Sequence, residues 1–235
     1  MYNDKDSIRR KNNEGKKVAP NCSSCGRFKP DQTGILVEKN GRIKSVIKEN
    51  LDKSYYDETE LKSMIEETVN NYNAEMGTEQ VEIEKYQVKD GEATLEMLYD
   101  SFSDYQGLNQ VKFYQGDLAG AQGTNYELQG TFFQVSKGKV TQDAVDASTV
   151  MAAGNYNMVA LEEEMLVQVP GDIVFISSNM ELLEKNTAIA KGKESGQTET
   201  EQAQTGEAGI PVLHPEETED TPVEESSDLF YIIYE

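Results

Sequence analysis

Leu229-Phe230-Tyr231-Ile232-Ile233-Tyr234-Glu235 closes the chain. Six consecutive β-prone side chains would be a liability in a solvated tail, because they template pairing with other chains. Read as a last strand, they complete a sheet built from earlier residues, and that reading decides the fold. The stretch before them, 192–228, is made of Glu, Thr, Gln, Gly, Pro and Ser, with Ile210, Val212, Leu213 and Val223 its strongly apolar members. By composition it is a disordered acidic linker. A flexible chain of that length spans about 35 Å, enough to return across a domain. Burying Phe230, Tyr231, Ile232 and Ile233 contributes roughly 6–10 kcal/mol. Ordering the segment costs a similar amount, so docking requires that the strand also pair with a sheet edge. The competing reading is a short motif for the sheet edge of a partner.

Upstream, residues 31–191 read as an α+β body whose sheet is mainly antiparallel. Ile35-Leu36-Val37 and Ile43 to Ile47 flank Asn40-Gly41, a type I′ hairpin signal. The main helix, 57–76, starts at Asp57 with Glu60 three residues on, close to a capping box. Leu61, Met64, Ile65, Val69 and Tyr72 recur at helical spacing, and Gly77 suits the left-handed residue after the end. A second hairpin, Val81 to Tyr99, turns at Asp90-Gly91. The opening unit is therefore strand–strand–helix–strand–strand, with the helix packed on the sheet. Short helices are expected at Ser101 to Leu108 and at Asp117 to Ala121. Further strands are expected at Val111 to Tyr114, Phe132 to Val135, Tyr156 to Leu161, Met165 to Val169, Ile173 to Ile176, Met180 to Leu183 and Thr187 to Ala190. Pro170-Gly171 is read as the turn between two of them. The body is either one domain or two subdomains divided near 100–130; the sequence leaves both open.

Charge narrows the partners. Residues 1–30 hold 8 Lys/Arg against 3 Asp/Glu, whereas the whole chain carries −21, so the body is strongly acidic. Such a body repels phosphate backbones, and nucleic acid is not an expected partner. The basic leader, 1–30, is too poor in apolar residues to fold alone; it reads first as a solvated tail or a mis-assigned start, and alternatively as a tether at an anionic membrane surface. An acidic surface keeps a protein soluble, and a monomer is expected.

Catalytic chemistry finds little purchase. The single histidine, His214, lies in the acidic linker, which removes most hydrolase and metal-site designs. Cys22 and Cys25 form a lone Cys-x-x-Cys, and a zinc site would need a second pair. They could instead form a disulfide, respond to redox state, or carry a lipid on Cys22. The Glu162-Glu163-Glu164 run reads as a solvated face, and Gly116, Gly120 and Gly123 lack the strand-to-helix setting of a phosphate loop. No cofactor, no metal and no catalytic residue is expected, and the chain is not expected to be an enzyme.

Three stretches carry a resemblance: Thr33 through Asn40-Gly41-Arg42-Ile43 to Glu49, then Tyr55-Tyr56-Asp57-Glu58-Thr59-Glu60-Leu61-Lys62, and the terminal Tyr231-Ile232-Ile233-Tyr234. Together they resemble uncharacterised extracytoplasmic lipoproteins of Gram-positive anaerobic bacteria. The resemblance implies an α+β body anchored outside the membrane by a lipidated cysteine, here Cys22, and transfers no catalytic residue. The expected function is a non-catalytic binding or structural module of the cell envelope. The alternative is a soluble cytoplasmic interaction protein, with Met1 as its true start, whose Cys22/Cys25 pair responds to redox state or metal.

Overall fold

The computed structural model describes residues 28–51, 57–191 and 229–235. Cys22, Cys25, Tyr55, Tyr56, His214, most of the basic leader and the acidic stretch 192–228 lie outside the described residues. In chain order the elements are β1 (Gly34–Val37), β2 (Ile43–Asn50), α1 (Glu58–Met76), β3 (Val81–Lys89), β4 (Glu92–Tyr99), α2 (Phe102–Asn109) and β5 (Phe113–Asp117). A 3₁₀ turn (Ala119–Ala121), β6 (Thr131–Ser136), β7 (Lys139–Asp146), α3 (Ala147–Ala153), β8 (Asn157–Leu161) and β9 (Leu166–Gln168) follow. The chain finishes with β10 (Ile173–Ser177), β11 (Met180–Glu184), β12 (Thr187–Ala190) and β13 (Phe230–Tyr234).

The α+β class, the mainly antiparallel pairing and the docked C-terminal strand all agree with the sequence reading. One sheet runs β11-β12-β9-β1-β2-β4-β3 and the other β5-β8-β13-β10-β6-β7. Among the described strands, only the β1–β9 pair is parallel. No single cut near 100–130 separates the sheets, because β9, β11 and β12 belong to the first sheet although they follow β5 to β8 of the second. Pro170-Gly171 is accordingly a crossover between sheets and not a hairpin turn.

Local chemistry explains the ends of the elements. Asp57 caps α1 by accepting from the backbone N–H groups of Thr59 and Glu60 at 2.8 and 3.0 Å, and Gly77 closes it in the left-handed conformation. Asp90 and Gly91 both adopt positive φ, the type I′ geometry expected of Asp-Gly. The first hairpin differs. The Gly41 N–H donates to the Glu38 carbonyl at 3.0 Å and the Glu38 N–H to the Arg42 carbonyl at 2.9 Å. That makes a three-residue loop with a left-handed Gly41 instead of the two-residue I′ turn.

Two apolar layers result. The first lies between the sheets and joins Ile35, Val37, Ile43, Met97, Tyr99 and Val167 of one to Phe113, Val159, Leu161, Phe230 and Ile232 of the other. Tyr105 of α2 bridges them, 5.0 Å from the Tyr99 ring and 4.9 Å from Phe113. The second layer covers the far face of the second sheet: Phe132, Met158, Phe175, Tyr231 and Ile233 under Leu118, Ala121, Leu128 and Val150. Helix α1 contributes less than its apolar spacing promised. Val69 is its one buried residue, and Met64 is 59% exposed. Its Asn73 side chain does more, donating to the Val81 carbonyl at 2.8 Å and accepting from the Val81 N–H at 3.0 Å. That amide occupies the first residue of edge strand β3, which is one way proteins blunt an edge.

Gly34 marks the join between the early and late parts of the first sheet. A Cβ there would stand 2.7 Å from the Leu166 carbonyl oxygen of the parallel neighbour. Gly34→Ala is therefore expected to cost about 1–3 kcal/mol, as overpacking against backbone does, measured by urea unfolding at constant m. An unchanged midpoint would show that β1 and β9 are not in this register.

Candidate functional site

A groove of about 590 Å³ opens on the far face of the second sheet, lined chiefly by Leu118, Ala121, Leu128, Ala147, Met151 and Ala152, with Gln122, Glu127 and Ser148 at its rim. An apolar hollow with a few polar groups is the usual form of a small-ligand site. Clefts of comparable volume elsewhere are more polar, such as the one of about 650 Å³ beside Lys137, Asp172, Lys185 and Glu235.

One wall is α3. Asp146 caps it, accepting from the Thr149 N–H at 2.8 Å and from the Ser148 hydroxyl at 2.9 Å. These bonds hold the Asp146 carboxyl below its ordinary value, the Thr149 backbone contact first. Val150 anchors the helix, fully buried beneath it. Small side chains at 147, 148 and 152 leave the space that larger ones would fill.

The other wall is the loop 118–128. Asp117 accepts from the Gly120 N–H at 2.6 Å, and the Thr124 hydroxyl donates to the Ala121 carbonyl at 2.6 Å. Tyr231 of β13 pins this loop: its hydroxyl donates to the Glu127 carbonyl at 3.0 Å and accepts from the Gln129 N–H. The C-terminal strand thus holds a wall of the groove as well as the centre of the sheet. Gly116 and Gly120 serve packing here, since a Cβ at either would lie 2.7–2.9 Å from the Tyr114 hydroxyl. That hydroxyl donates to the Asp117 carbonyl at 2.9 Å. The Tyr114 ring stacks on Tyr126 at 5.4 Å.

A half-buried carboxylate stands apart from the groove. Glu163 accepts from the Tyr105 hydroxyl at 2.8 Å. Burial raises its carboxyl above the usual carboxylate value, the Tyr105 bond lowers it in part, and the Glu162 charge adds to the rise. Burial likewise raises the Tyr105 phenol, with the Glu163 charge adding to it. The glutamate run is therefore not simply a solvated face: Glu162 accepts from the Lys112 N–H at 2.8 Å, and Glu163 turns inward. Because the folded-state value is raised, the stability Glu163 contributes is complete below the unfolded carboxyl value and is lost as pH rises through the folded one. Glu163→Gln keeps an acceptor for Tyr105 and cannot ionise. Its melting temperature relative to wild type is expected to rise between pH 4 and pH 7, and a pH-independent difference would contradict the burial of an ionising carboxyl.

Among the described residues, no group of three His, Cys, Asp or Glu side chains is placed to hold a metal ion, and no helix is long and apolar enough to cross a membrane. No protein-family model, no curated protein and no solved structure matches the chain. Sequence reasoning missed the groove because it read a short helix at Asp117 to Ala121 and assigned no element to 122–128 or 147–152, so nothing marked these stretches as facing walls. The available signal was Asp146 ahead of Ala-Ser-Thr-Val-Met-Ala-Ala, a helix cap followed by a run that ends in the good helix formers Met and Ala.

Proposed function

We propose that this protein is a non-catalytic binding module of the bacterial cell envelope, lipoprotein-like, whose groove between α3 and the 118–128 loop takes an apolar ligand or side chain. The groove itself carries the reading: it is apolar within, polar at its rim, and walled by elements individually tied down through Asp146, Asp117 and Tyr231. Anchoring through a lipidated Cys22 fits this arrangement. Cys22 lies 12 residues before β1, a reach of at most about 40 Å when extended, so the body would work close to the membrane surface.

Binding is tested with the uncharged dye N-phenyl-1-naphthylamine. Saturable 1:1 enhancement is expected, weakened at least about tenfold, roughly 1.4 kcal/mol, in a Ser148→Phe/Ala152→Phe variant. Both positions are exposed; the variant loses the Ser148 bond to Asp146 but keeps the Thr149 cap bond, so it should melt within a few degrees of wild type. Unchanged dye affinity in the filled groove would overturn the site. Intact mass and cell fractionation test the location: a membrane-bound form beginning at Cys22 with added lipid mass supports the envelope reading. A soluble form retaining Met1 would move the protein to the cytoplasm and make the Cys22/Cys25 pair the next group to examine.

A further inference from the structure

β13 sits in the second sheet as a ligand sits in a site. It pairs with β8 across Phe230 to Tyr234 on one side and with β10 on the other, and all five of its residues are buried. Neither neighbour adjoins it in sequence, since 192–228, a stretch of 37 residues, separates it from β12.

The slot is shaped at both ends. At the far end, the Glu235 N–H donates to the Asp172 carbonyl at 3.1 Å. Gly171 leaves room there, because a Cβ would stand 1.7 Å from the Glu235 carbonyl oxygen. At the near end, the Tyr231 N–H donates to the buried Ser177 hydroxyl at 2.9 Å and the Asn179 amide donates to the Leu229 carbonyl at 3.2 Å. The backbone carbonyl of Asn179 accepts from the Lys191 N–H at 2.8 Å. One residue therefore holds the described residues on both sides of 192–228. Side chains are read as well: Phe230, Ile232 and Tyr234 enter the core between the sheets, and Tyr231 and Ile233 enter the layer beneath the groove. A strand recognised through alternate side chains and main-chain bonds is the β-augmentation mode of peptide recognition.

We propose that the slot between β8 and β10 is a peptide-binding site in its own right. Its ligand is an extended Leu-Phe-Tyr-Ile-Ile-Tyr-Glu segment, and the C-terminal strand of a second copy of this chain can occupy it. The exchange would carry Tyr231 with it, so the side chain that pins one wall of each copy's groove would come from its neighbour. This proposal is independent of what the groove binds. While the connection is intact, the chain's own strand is present at an effective concentration on the order of mM. At about 10 μM free strand, the resident wins by roughly a hundredfold. Cutting the connection removes that advantage and leaves recognition alone.

The test uses the full chain with a specific protease site placed within 200–206, cut after folding. The fragment is expected to stay bound through gel filtration. A fluorescently labelled Leu229–Glu235 peptide at about 10 μM is then expected to enter the cut protein and displace the fragment, with uptake by uncut protein lower by about a hundredfold. A peptide carrying Ile232→Asp should fail in both. Retention of the fragment with no uptake after prolonged incubation, or equal uptake of the Ile232→Asp peptide, would overturn the proposal.

Discussion

Deleting Leu229–Glu235 is expected to abolish the cooperative thermal transition. The deletion removes Phe230, Tyr231, Ile232, Ile233 and Tyr234, each at most 5% exposed. At about 2–5 kcal/mol for each large side chain lost from a core, the sum, about 10–25 kcal/mol, matches or exceeds the roughly 5–15 kcal/mol that typical domains possess. The damage also falls on both layers, since Phe230, Ile232 and Tyr234 belong to the core between the sheets and Tyr231 and Ile233 to the layer outside. β8 and β10 would lose their common partner at the same time, leaving two rows of unmatched backbone groups in the sheet interior. Circular dichroism during heating checks this. A truncated chain that still melted cooperatively within a few degrees of wild type would mean that β13 is peripheral.

Phe113→Ala is expected to be the most damaging single substitution outside that strand. Phe113 is fully buried, packs on the Tyr105 ring and stands opposite Leu161 in the β5–β8 ladder. It therefore holds α2 against the second sheet as well as filling the core. Loss of a buried phenylalanine side chain costs about 3–5 kcal/mol, which at this chain length corresponds to a fall in melting temperature of roughly 6–20 °C. Val140→Ala, at a position 42% exposed on β7, is the control and should stay within about 0.5 kcal/mol. Equal effects of the two would contradict the placement of β5 in the second sheet.

What the sequence made legible follows the range of the interactions involved. The Asp90-Gly91 hairpin, the Asp57 cap and the Gly77 stop are encoded within a few residues, and each forms where it was expected. The docked strand was legible because Leu229 to Tyr234 has no stable alternative in water. Sheet membership was not legible. β9, β10 and β11 alternate between the sheets within residues 166–184, and nothing local distinguishes a crossover at Pro170-Gly171 from a turn. Helix α1 misled in degree: its apolar residues recur at helical spacing, yet only Val69 is fully buried, with Tyr72 packed partly buried against the core. Glu163 was hidden by its neighbours, since three consecutive glutamates look solvated until Tyr105 arrives from 58 residues away. The groove was hidden for a related reason, its walls being short segments that become a site only when Tyr231 fastens one of them.

The central claim is that the last residues of the chain are the middle of its second sheet and a support of its groove. Amide hydrogen exchange at Ile232 and Ile233 tests it most directly. Exchange only through global unfolding, at rates matching Val159 in the adjacent strand, is the expected result. Exchange of these two amides at rates typical of a solvated tail, with Val159 still protected, would contradict it.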